Sequence, residues 1–138
     1  MRSITPASGI TISEYLASSE GNIFSSATLD ATAVSTVDSD SKKYLDKGVL
    51  LAKINTPATA SGLVGPFDPT ESDGRELTYN IVGFNDTFAD LSQGDVEVGV
   101  LIKGTVKESE VIVGASDGAI PAIYKDYLRT DSLDILFR

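Results

Sequence analysis

Residues 95–107 read Asp-Val-Glu-Val-Gly-Val-Leu-Ile-Lys-Gly-Thr-Val-Lys, and their alternation sets the fold class. Val96, Val98, Val100 and Ile102 fall on one face, and Glu97, Gly99, Leu101 and Lys103 on the other. That period of two predicts a strand in a sheet with one buried face. Gly104 interrupts it and marks a bulge or a close backbone approach. Upstream, the apolar run at residues 49–54 follows a Lys47-Gly48 turn and is short enough to be a buried strand. Residues 79–84 and 111–113 add shorter strand candidates. Between residues 119 and 129 the period changes: Ile120, Ile123, Tyr124, Tyr127 and Leu128 share a helical face, with Asp117 near the cap and Pro121 in the first turn. Leu133, Ile135 and Phe137 then alternate, which predicts a terminal strand. The expected fold is mainly β (α+β): a small β-rich domain with one short C-terminal helix.

An extended N-terminal arm precedes this domain. The first 41 residues hold 15 Ser or Thr and a single basic residue, Arg2, whereas the other 97 hold 13 Ser or Thr and the remaining 10 Lys and Arg. Such a segment buries too little surface to offset an ordering cost of roughly 1–2 kcal/mol per residue, so it needs a partner. Its sparse apolar residues, Ile10, Ile12, Tyr15, Leu16, Ile23 and Phe24, are the expected partner-binding positions, with Tyr15 and Phe24 as aromatic anchors. Residues 28–37 carry β-branched side chains and partial alternation before the polar Asp38-Ser39-Asp40-Ser41 turn, and are expected to form the first strand. The division is therefore an arm over 1–27 and a β domain over 28–138. Residues 56–76 hold Pro57, Gly62, Gly65, Pro66, Pro69 and Gly74 and are expected to form a loop anchored by Phe67.

Composition removes several function classes. The net charge of −9 argues against gripping a phosphate backbone, so no direct nucleic-acid partner is expected. Cysteine and histidine are both absent, which removes disulfides, thiolate metal ligands, the Cys nucleophile and the usual general base near neutral pH. The expectation is no enzyme and no cofactor. No apolar run is long enough to span a membrane, and no apolar core follows the basic start as in a secretory signal.

Three local patterns resemble chemistry. Gly114-Ala115-Ser116-Asp117-Gly118 fits the Gly-x-Ser-x-Gly pattern of a nucleophile elbow, but a serine there needs a base and the chain has no histidine; a pair with Lys103 or Lys125 is conceivable, and nothing in the spacing supports it. A strand-to-helix turn is the simpler reading. Asp68, Glu71, Asp73 and Glu76 surround Gly74 in a way that invites calcium, yet with Gly74 as sixth position Pro69 would be first, which does not fit an EF-hand loop. A surface turn with solvated acids is expected instead. Asn85-Asp86-Thr87 matches a glycosylation acceptor, a pattern too short to carry weight.

In order, the body reads KYLDKGVLLAKI, then GPFDPTESDGRE, then VEVGVLIKGTV, then a helix and the terminal Ile135-Leu136-Phe137-Arg138. This order resembles the head decoration, or capsid cement, proteins of tailed bacteriophages, the family typified by protein D of phage lambda, over most of residues 28–138. The resemblance implies a β-rich domain that sits as a homotrimer on the outer surface of the expanded head, binds the major capsid protein and stabilises the shell against internal DNA pressure. It also implies an arm that orders against the coat, and a protein made in the host cytoplasm and found in the virion. This chain has a longer arm and lacks histidine and tryptophan, so the resemblance implies a role and no interface. A surface-exposed phage β domain that binds carbohydrate or host receptor is the second reading, with the arm as a linker.

Overall fold

A computed structural model describes residues 14–114, 116–117, 122–129 and 133–138. The strands are β1 (Ile23–Leu29), β2 (Tyr44–Leu45), β3 (Leu50–Lys53), β4 (Val64–Pro66), β5 (Ile81–Asn85), β6 (Ala89–Asp90), β7 (Val96–Val106), β8 (Ile112–Val113), β9 (Ser116–Asp117) and β10 (Asp134–Phe137), with one helix, α1 (Ala122–Tyr127), before β10. The domain is mainly β, as expected. Its principal sheet has the order β1-β4-β3-β5-β7-β10, and β1 also pairs with β7, so five strands close into a ring with β10 beside β7. β2 with β6, and β8 with β9, form small accessory pairs.

β7 is the axis of the molecule because it is long enough to have three partners. One edge pairs antiparallel with β1 from Ile23 opposite Lys103 to Leu29 opposite Val96. The other edge takes β5 at Leu101 and Val100, then β10 in parallel from Lys103 to Val106. Opposite Ile23 and Phe24, the register jumps from Lys103 to Leu101, a bulge that places one extra β7 residue. Before it, Val98 and Val100 face one cluster; after it, Val106 joins Leu101 in the other. The irregularity expected at Gly104 therefore lies one turn of the pleat earlier, and it switches the buried face. Gly104 itself allows a close approach, since a Cβ there would lie 2.5 Å from Asn22 Oδ1.

The middle of the sheet is buried on both sides, which corrects the expectation for residues 95–107 at Leu101, while Glu97 and Lys103 are exposed as expected. Leu29, Leu51, Val64, Val98 and Val100 converge within the ring. Leu50, Ala52, Phe84, Leu101 and Ile135 face outward beneath a second layer that includes Tyr15, Phe67, Val111 and Leu128. Leu101, assigned by alternation to the open face, is fully buried there. The continuous apolar run in β3 has the same cause: Leu50, Leu51 and Ala52 each have a core to fill.

Other boundaries moved for local reasons. β1 covers Ile23–Leu29 rather than residues 28–37, because Asp30 ends it: its carboxylate accepts from the Thr32 N–H and caps a single 3-10 turn at Ala31–Ala33. Within the loop at 56–76, residues 64–66 form β4, and Phe67 is buried as expected. α1 ends at Tyr127, before the predicted end at residue 129. Leu128 is buried and Tyr124 packs edge-on against Phe67 at 5.4 Å, but Ile123 and Tyr127 are exposed. Ile120 lies outside the described residues.

The acids of the loops cap the loops. Asp68 Oδ1 accepts from both the N–H and the hydroxyl of Thr70, and Asp90 Oδ1 does the same with Ser92. These bonds, the hydroxyl first, hold both carboxyls below the usual carboxylate range. A folded-state value below the unfolded one contributes stability that is complete above the unfolded value and is lost as pH falls through the folded one. Stability should therefore decline from about pH 4 downward, and Thr70→Ala with Ser92→Ala should make the acid limb of a urea-midpoint titration shallower. An unchanged slope would exclude these turns as its source.

Candidate partner-binding surface

The expected arm residues separate into three groups. Ile10 and Ile12 lie outside the described residues. Tyr15 and Leu16 belong to the body. Ile23 and Phe24 stand on the surface of β1, 49% and 46% exposed.

Tyr15 is the main correction: the residue expected to anchor a partner anchors the protein's own fold. Its side chain is only 1% exposed and packs 6.4 Å from the Phe84 ring. Its backbone is fixed against the end of β7, with Lys107 N–H donating to the Tyr15 carbonyl and Ala17 N–H donating to Thr105. Leu16 bridges Val106 between them. The phenol donates to Asp86 Oδ1. Burial, then the hydrogen bond and charge of Asp86, pushes its proton affinity far above that of an ordinary tyrosine, so it stays a donor at any working pH. Gly48 makes room: its φ is +85°, and a Cβ there would lie 2.9 Å from the Tyr15 Cβ. The aromatic-in-polar-context signal at Tyr15 was real, but its partner Asp86 lies 71 residues away in the same chain.

Beside Phe24, β1 is an incomplete neighbour of β4. The two meet only at Leu29 opposite Val64, where Asp30 N–H donates to the Val64 carbonyl. By the period of two, the N–H groups of Thr28, Ser26 and Phe24 point to that same edge, and among the described residues no strand pairs with it there. A groove of about 460 Å³ lies here, lined by Ser25, Ser26 and Ala27 of β1, by Lys53, Gly62 and Val64, and by Val82, Val100 and Ile102. Tyr79, 79% exposed, is also in its lining.

The other patterns read from the sequence resolve into structure. Asn85 is fully buried and spends its amide on the carbonyls of Asp46 and Thr87, so it is closed to glycosylation in the folded state. Around Gly74, Glu71 and Asp73 pair with the buried Arg75, while Glu76 accepts the Gly74 N–H. Arg75 also donates to the carbonyls of Ala33 and Pro66, so this cluster ties three loops together. A crevice of about 540 Å³ beside it is lined by Asp30 and Asp95, whose carboxylates are likewise engaged by backbone N–H groups. Ser116 and Asp117 pair back onto Val113 and Ile112, a hairpin in place of the expected strand-to-helix turn. No described helix is long and apolar enough to cross a membrane.

No protein-family model and no curated protein matches this chain.

Proposed function

We propose that the protein is a capsid decoration protein of a tailed-phage head, binding the major capsid protein on the outer surface of the expanded shell as a homotrimer. The observation that carries this reading is the arrangement of the N-terminus. The β body holds residues 15–17 by the Tyr15 anchor, the uncharged residues 3–13 precede that anchor in the sequence, and exposed Ile23 and Phe24 follow it on β1.

Cementing a lattice requires contact with more than one subunit. A body exposing Ile23 and Phe24, and a preceding segment in whose sequence Ile10 and Ile12 alternate, can each engage a different coat subunit, the segment by adding a strand to a sheet edge. Three such segments on one trimer turn modest contacts into strong avidity. Binding to the expanded lattice alone then adds its free energy to that state. The acidic balance of the chain suits a surface facing away from the packaged genome.

Mixing the purified protein with expanded, empty heads tests this directly. Saturable occupancy at threefold positions is expected, and Ile23→Asp with Phe24→Asp should weaken it at least tenfold. Absence of binding to any expanded head, or binding only to glycans on a cell surface, would overturn the proposal in favour of the receptor-binding reading.

A further inference from the structure

We propose that the open edge of β1 receives the Ile10-Thr11-Ile12 segment of a second copy of this chain, so that free molecules associate by exchanging N-terminal strands. The inference concerns the protein in solution and stands apart from the capsid reading.

The receiving site is built from backbone. Thr28, Ser26 and Phe24 present N–H groups toward the gap between β1 and β4, and an edge with no strand partner among the described residues is a template for one further strand. Val82, Ala27 and Ile102 in the lining are only partly buried and offer apolar contacts, and Tyr79, also in the lining, is exposed. Lys53 is the one charged residue in the lining.

The occupant follows from chemistry and from reach. Residues 3–13 carry no charge, and Ile10-Thr11-Ile12 alternates β-branched side chains in the pattern a pleated edge accepts. A neutral, apolar-alternating strand can enter a groove with no acid in its lining without burying an unpaired carboxylate or ammonium. The same segment cannot reach the groove of its own chain. Tyr15 is held opposite Lys107, whereas Ser25 lies opposite Val100, about 20 Å back along β7. Ile12 is at most about 10 Å of chain from Tyr15 and Ile10 about 17 Å, and residues 17 to 15 already run away from the groove. A second copy has no such restriction. Because the donor segment and the acceptor edge are different surfaces, the contact is head-to-tail and closes into a ring when the rotation between copies allows. On a phage head, the neighbouring copy and the coat would compete for the same segment.

Sedimentation equilibrium of the full chain, without heads, provides the test. The unmodified protein is expected to associate reversibly at micromolar concentrations, and Ile10→Asp with Ile12→Asp to weaken association by about 100-fold while leaving the circular dichroism spectrum of the body unchanged. A second measurement uses the absence of native cysteine: mixing a Thr11→Cys variant with a Ser26→Cys variant under oxidation should yield a disulfide between the two chains. A single-chain mass at all concentrations would overturn the proposal. So would association indifferent to the Ile10 and Ile12 substitutions, or a disulfide forming within one chain that carries both cysteines. None of these outcomes depends on whether the protein binds a capsid.

Discussion

Deleting residues 1–27 is expected to abolish cooperative unfolding, whereas deleting residues 1–13 should leave a cooperative transition. The difference lies in residues 14–27. They contain Tyr15, buried in the outer core, the backbone bonds of residues 15–17 to the end of β7, and most of β1. Removing them would expose the whole β1 edge of β7, with Val98 and Val100 uncovered on the ring side and Leu101 and Val106 on the other. Since a domain of this size has only about 5–15 kcal/mol of net stability, losing one of the five ring strands together with an aromatic core residue exceeds what it can tolerate. Thermal melts followed by circular dichroism separate the two deletions. A sharp transition in the shorter chain would show that the body is independent of β1.

Replacing Tyr15 with alanine is the second large effect, a loss of about 3–5 kcal/mol in urea unfolding. The ring fills space against Phe84 and lies where Gly48 has no side chain, so its removal leaves a cavity bordered by backbone that cannot easily close. Tyr15→Phe isolates the hydroxyl. It keeps the ring and removes the donor to Asp86, and should cost about 1–2 kcal/mol, since the carboxylate loses a partner but keeps access to water. If Tyr15→Ala and Tyr15→Phe were equally mild, the segment at 15–17 would be a passive strap and the anchor would have to lie in the Leu16 and Ala17 backbone pairings.

Tyr15 also shows where sequence reasoning stopped. An aromatic residue in a Ser/Thr-rich stretch signals an anchor, and that much was legible. Whether the anchor serves another protein or a distant part of the same chain depends on Phe84, Asp86 and Gly48, and nothing in residues 14–17 specifies them. β1 was missed for a related reason. Ser25, Ser26, Ala27 and Thr28 have no alternation strong enough to announce a strand, and they form one because β7 supplies an edge to pair with. The open side of that strand, the candidate docking edge, follows from β4 being short and meeting β1 at a single register position.

The sequence by itself determined what can be read from periodicity and residue type. These are the strand at β7, the buried run at β3, the alternating C-terminus of β10, the loop anchor at Phe67 and a mainly β domain carrying one helix. Each rests on neighbours within a few residues, where side-chain alternation and turn chemistry act. Only the tertiary structure decided that the strands close into a ring, that Leu101 is as deeply buried as Val100, and that the N-terminal body begins by Tyr15. Those outcomes depend on what covers the second face of the sheet and on which edge a weak strand joins. Both are set by contacts between residues far apart in the chain, for which local pattern carries no information.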